Sequence, residues 1–126
     1  MIDTTKLVER RRHKRFRIQN GAFVILNPSD TGAGRLIDIS LNGLTFDYVA
    51  RQEPPIEDTE LQISVTYSGF RLYGVPCKAI WNLVTYEIPT TSLHTRRCGV
   101  QFGKLTPQQV SQLEYFIQNH AIHDVD

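Results

Sequence analysis

Leu36-Ile37-Asp38-Ile39-Ser40-Leu41-Asn42-Gly43-Leu44-Thr45-Phe46-Asp47-Tyr48-Val49 reads as two short β-strands joined by a tight connection. Apolar and β-branched residues fill both flanks, and the glycine of the connection between them is expected at φ > 0. Asp38, Ser40 and Gly43 gather at this one corner. A carboxylate, a short hydroxyl and a glycine at a strand end satisfy backbone groups in many proteins, so the corner alone carries no function.

The same grammar extends in both directions. Upstream, Ala22 to Leu26 is an apolar run closed by Asn27-Pro28-Ser29-Asp30. Downstream, a proline-rich acidic loop (Glu53, Pro54, Pro55, Glu57, Asp58) leads to Leu61, Ile63, Val65 and Tyr67, which alternate with polar residues. That period of two is the mark of a half-buried strand. Ser68-Gly69 turns the chain into the long β-rich stretch Phe70 to Val84. Pro76, inside it, lacks an N–H and must lie at an edge or a bulge. Residues 85–95 read as a loop or ragged hairpin, and Arg97 to Phe102 as a last strand. About six strands with short turns predict a mainly β protein, a small closed barrel.

The end is helical. Thr106-Pro107-Gln108-Gln109 supplies an N-cap, a proline at the first helical position and a glutamine that can close a capping box. Val110, Leu113, Phe116, Ile117 and Ala121 then recur at helical spacing and give one apolar face to pack on the barrel. This predicts a helix over 106–121.

The chain has 126 residues, 40% hydrophobic and 21% charged, which suits one soluble globular domain. No apolar run reaches the ~20 residues of a membrane span, and the charged N-terminus is unlike a signal peptide, so a cytoplasmic protein is expected. Cys77 and Cys98 match no metal-ligand spacing and read as reduced, buried thiols. No GxSxG or HExxH occurs, and the glycines at 32 and 34 lack the ending of a phosphate-binding loop. His13 and His94 have no ligand partners, and His120-x-x-His123 reads as a frayed helix end. Binding rather than catalysis is expected, with no cofactor and no metal.

Fourteen Lys and Arg against thirteen Asp and Glu give a net charge of +1, but the distribution is uneven. Lys6, Arg10, Arg11, Arg12, Lys14, Arg15 and Arg17 are opposed only by Glu9, so residues 6–17 carry a charge of +6 on a mildly acidic body. An anionic partner should be met there. An arginine fork fits O6 and N7 of guanine or a phosphate, and a carboxylate fits the N1–H and N2–H₂ edge. Several arginines, one aspartate and a hydroxyl are therefore suited to guanine plus phosphate.

Arg11-Arg12-His13-Lys14-Arg15 gives RxxxR, and Asp38-Ile39-Ser40-Leu41-Asn42-Gly43 gives DxSxxG. Together, in this order and among these strands, they resemble the PilZ domain, a bacterial receptor for cyclic di-GMP. The resemblance runs from the basic arm to Gly99-Val100-Gln101-Phe102 and the closing helix. It implies a six-stranded antiparallel barrel of the split type over residues 20–126, with residues 1–19 as a flexible basic arm folding across the ligand. Arg11 and Arg15 would hold guanine and phosphate, Asp38 and Ser40 would hydrogen-bond a guanine edge, and Gly43 would let the turn close. Arg10 precedes the motif, a placement that in this family tends to accompany an intercalated dimer, which implies two ligand molecules per domain.

Arg12, Lys14 and Arg17 are expected to add field rather than contacts, and Arg96 and Arg97 to lie on a solvated strand edge rather than reach the ligand from the last strand. A like-charged arm should be mobile when empty and ordered by a dianionic ligand. The signal would then pass to a separate effector protein, in motility, biofilm or envelope control by resemblance. Two rivals stand beside this reading. One is a barrel of the same family that binds no ligand and serves protein interaction. The other is a small β-barrel that binds RNA or single-stranded DNA, which would need an aromatic face drawn from Phe16, Phe23, Phe46 and Tyr48.

Overall fold

The computed structural model describes residues 14–27, 33–51 and 59–124. Among the described residues eight strands and one helix follow in order: β1 (Phe16–Ile18), β2 (Ala22–Asn27), β3 (Ala33–Ile39), β4 (Gly43–Ala50), β5 (Thr59–Val65), β6 (Arg71–Glu87), β7 (His94–Phe102), α1 (Pro107–His120) and β8 (Ala121–Asp124). The sheet order is β2-β5-β6-β7-β4-β3-β1-β8, and a further β2–β3 pairing closes the first six strands into an antiparallel barrel. The expected six-stranded barrel with a C-terminal helix is therefore present. β1 and β8 are additions that the strand pattern did not announce.

Closure places two strands on one edge of β3. Residues 33–35 pair with β2, whereas Asp38 and Ile39 pair with Arg17 and Phe16 of β1. The N-terminal arm thus enters the sheet where the barrel's own pairing stops. Its last residues are held on the far side by β8.

Alternation decides what is inside. Val24, Leu26, Leu61, Ile63 and Val65 project inward at every second position, as do Leu44, Phe46 and Tyr48 of β4 and Cys98 and Val100 of β7. Both cysteines are free and buried. Phe46 and Tyr48 are core residues, which removes two of the aromatics a nucleic-acid face would have needed.

β6 is long because three irregularities bend it around the barrel. The first lies opposite Leu61 to Ile63 and uses Gly74 at φ +64°, a left-handed position that suits glycine, so that Leu72 and Val75 both face the core. Two more lie at Ile80 and Thr85 against β7. Pro76 stands one residue outside the β7 ladder, which begins at Cys77 opposite Phe102, and its carbonyl accepts from the Gly103 N–H at 2.7 Å. Its missing N–H thus leaves no gap in that ladder. The strands continue to Glu87 and resume at His94, so only residues 88–93 form a loop.

Helix α1 starts as predicted. Thr106 Oγ1 accepts from the Gln109 N–H and Gln109 Oε1 accepts from the Thr106 N–H, a complete capping box. Leu113, Phe116 and Ile117 are buried, while Val110 is more than a third exposed. The expected fraying at His120 does not occur. The residue is buried, its ring packs against Phe70, Phe116 and Tyr67, and its carbonyl accepts from the Gln19 N–H. Apolar contact and the adjoining strand β8 fix this helix end.

Candidate functional site

The corner read from the sequence is built by a bulge. Leu36 pairs with Phe46, but the next partner of β4, Thr45, pairs with Asp38, so Ile37 is an extra residue in β3. Simple alternation would send Asp38 inward with Leu36. The bulge instead turns Asp38 to the outer surface and leaves Leu36 and Ile39 buried on either side of it. A carboxylate is thereby kept out of the core, which would otherwise have to neutralise it.

Arg15 meets it there. Its Nη2 donates to Asp38 Oδ1 at 2.6 Å and to Thr45 Oγ1 at 2.7 Å. Strand β1 supplies the anchor, because Arg17 lies opposite Asp38 and Phe16 opposite Ile39. Asp38, Thr45, Gly99 and Trp81 are then successive cross-strand neighbours on β3, β4, β7 and β6.

The turn that follows is closed by its own side chains. The Ser40 N–H donates to the Gly43 carbonyl at 2.8 Å, Ser40 Oγ donates to Asn42 Oδ1 at 2.6 Å, and the Asn42 N–H donates back to Ser40 Oγ at 3.2 Å. Ser40 has thus spent its single proton and one lone pair, and one acceptor position remains to it. Gly43 does not take the positive φ expected of it, as only Gly21, Gly69 and Gly74 do among the described glycines. Its reason is space: a Cβ at residue 43 would overlap the Val100 carbonyl oxygen. The glycine lets β4 start hard against β7.

These residues surround a concave surface of about 370 Å³, within the range of small-molecule sites. Arg15, Ser40, Gly43 and Thr45 line one side, and Ile80, Trp81, Gly99 and Gln101 the other. Trp81 is about a third exposed, and its indole lies over Gly99 so closely that any Cβ there would overlap the ring. Trp81, Thr45 and Asn42 were not singled out by sequence reading. The one available signal was a lone tryptophan in a strand that pairs with a glycine-bearing one.

Arg10 and Arg11 lie outside the described residues. Arg96 and Arg97 do not sit on an edge, because β7 runs between β4 and β6. Arg97 instead grips Asp47 with two bonds, Nε to Oδ1 at 2.7 Å and Nη2 to Oδ2 at 3.0 Å. That hydrogen bond and the negative charge of Asp47 raise the Arg97 pKa above its ordinary value, against a smaller opposing effect of burial. Among the described residues no helix is long and apolar enough to cross a membrane.

The profile of the PilZ domain matches residues 9–119. No curated protein matches the chain significantly. Among solved structures, the fold is similar to the PilZ domain with c-di-GMP of YcgR from Escherichia coli, with a TM-score of 0.60 and 19% identity over 86% of this chain and 90% of that one.

Proposed function

The chain belongs to the PilZ domain family, and from that premise we propose that it is a receptor for cyclic di-GMP that passes the signal to a separate effector protein. The observation that carries this reading is one open pocket lined by Arg15, itself bonded to Asp38, by the Ser40–Gly43 turn and by an indole. The Arg15 guanidinium is held by a carboxylate and a hydroxyl. A bound nucleotide offers it a guanine O6 and N7 edge or a phosphate, to which the same fork is suited. Asp38 Oδ2, which has no partner among the described residues, accepts from guanine N1–H or N2–H₂, and Ser40 Oγ contributes its remaining lone pair. Trp81 supplies a face on which a base can stack.

Arg10 and Arg11 are given ligand contacts on the strength of the motif, and two ligand molecules per domain follow from the Arg10 placement. The ligand's two negative charges offset the repulsion within the basic arm, so binding orders the arm over the barrel and creates a surface an effector can read. No catalytic step is assigned.

Calorimetric titration of cyclic di-GMP, with GTP and a short oligonucleotide as controls, tests this. Saturable binding of the dinucleotide alone is expected, near two per chain. One per chain would remove the dimer and keep the receptor. No heat and no chemical-shift change up to ~1 mM, an affinity weaker than about −4 kcal/mol, would overturn the receptor reading.

A further inference from the structure

One strand-step along the same outer face lies a second cleft, of about 340 Å³. Arg17 of β1, Arg35 of β3 and Arg97 of β7 stand around it, and Ile37 and Ile122 give it an apolar lining. The register explains the grouping: Arg35, Asp47 and Arg97 are successive cross-strand neighbours, two residues along β4 and β7 from the Thr45–Gly99 row of the first pocket.

The charges do not balance. Asp47 ion-pairs with two of these arginines, Arg97 at 2.7 Å and Arg35 more loosely at 3.7 Å, and the charge of Asp38 also acts on Arg97. Arg17 has no ion pair among the described residues. The cleft therefore holds three guanidinium groups against Asp47 and the charge of Asp38, which Arg15 already pairs, and the Arg35 side chain is 57% exposed. A small anion would satisfy the arginines but leave Ile37 and the half-exposed Ile122 uncovered. An extended peptide that alternates carboxylates with aliphatic side chains matches both the charge and the lining.

The cleft is also tied to the nucleotide pocket. Arg15 immediately precedes β1 and Arg17 lies within it, two residues on, and one of them lines each site. Fixing Arg15 fixes the strand that carries Arg17. We propose that the cleft of Arg17, Arg35 and Arg97 is the docking site for an acidic, aliphatic segment of the effector protein, and that nucleotide at Arg15 strengthens this docking through β1. The docking stands on the cleft's own chemistry, whereas its coupling rests on the receptor reading above. The coupling is reciprocal, so the docked segment strengthens nucleotide binding by the same factor.

The test is fluorescence anisotropy with a labelled, capped peptide of alternating glutamate and leucine at about 150 mM salt, where distant charges are screened. It is read with the wild type, Arg17→Glu, Arg35→Glu and, as an exposed control outside the cleft, Arg71→Glu, each checked for folding by circular dichroism. Expected is binding to the wild type, weakened about tenfold or more in Arg17→Glu and Arg35→Glu and unchanged in Arg71→Glu. Cyclic di-GMP should tighten the wild-type complex several-fold. Equal loss in Arg71→Glu would overturn the docking site as diffuse charge attraction, and complete displacement by millimolar phosphate would overturn it as a small-anion site. Nucleotide that binds by calorimetry yet leaves the peptide affinity unchanged would overturn the coupling. Nucleotide that does not bind at all would sink the receptor reading and the coupling together, while the arginine variants still decide the docking.

Discussion

A single nitrogen of Arg15, Nη2, stands 2.6 Å from Asp38 Oδ1 and 2.7 Å from Thr45 Oγ1, tying the arm to two strands of the barrel. The pair is half open to water on the arginine side, with 49% of that side chain exposed. Removing it should therefore cost little stability, about 0.2–1 kcal/mol in urea unfolding of Arg15→Ala. The same variant should lose ~1–3 kcal/mol of cyclic di-GMP affinity by calorimetry. Arg15→Lys should not restore binding, because an ammonium cannot make the planar fork. Large unfolding with unchanged affinity would reverse these roles.

Two glycines near the pocket should respond differently to an added methyl group. At Gly43 the obstacle is the Val100 carbonyl, part of a ladder that cannot move alone. Gly43→Ala should destabilise by about 1–3 kcal/mol, seen as a lower melting temperature. At Gly99 the obstacle is the Trp81 indole, a side chain with solvent on one side. Gly99→Ala should cost less and instead displace the ring, which tryptophan fluorescence reads directly.

Trp81 is the one tryptophan of the sequence, so its emission reports on the pocket without a label. Titration with cyclic di-GMP should change intensity and wavelength with the same saturation curve as calorimetry. Trp81→Ala should weaken binding by ~1–3 kcal/mol, the value of one base stacked on an aromatic ring. An indole that stays silent while heat is released would place the ligand elsewhere.

Burial pushes the Cys98 thiol up to about 11, with a smaller opposing effect from the nearby Arg96 charge. The unfolded chain releases this proton at lower pH than the fold does, so above the ordinary thiol range the unfolded state holds fewer protons. Stability should fall as pH rises from about 8.5 toward 11, and be unaffected by this group below that window. Native protein at pH 8 should resist thiol alkylation until denaturant is added. Rapid native labelling at Cys98 would contradict its burial.

How far the sequence reached can be judged residue by residue. The barrel strands declared themselves through alternation at Leu61, Ile63 and Val65, and the helix through its capping box at Thr106. Arg15 and Asp38 were found as motif positions, and the structure brings them into contact. What stayed hidden depends on pairing. Leu36 and Ile39 are both buried only because Ile37 is a bulge, and a bulge is fixed by the partner strand, not by the run itself. β1 and β8 are too short to show a period, and each exists through the other. Gly43 looked like a turn glycine because its neighbour Val100 is 57 residues away in sequence, and only the fold brings that carbonyl close. Arg97 looked solvated because its partner Asp47 lies across a strand pair.

The shared edge of β3 has one more consequence, for solubility. Asp38 and Ile39 present backbone donors and acceptors that β1 covers, while residues 33–35 of the same edge are paired with β2. Whenever β1 lifts, a short stretch of unpaired sheet opens beside an apolar Ile39, the kind of template on which chains associate edge to edge. The segment that carries Arg17 is therefore also a guard strand, and its pairing with β3 protects the protein against self-association.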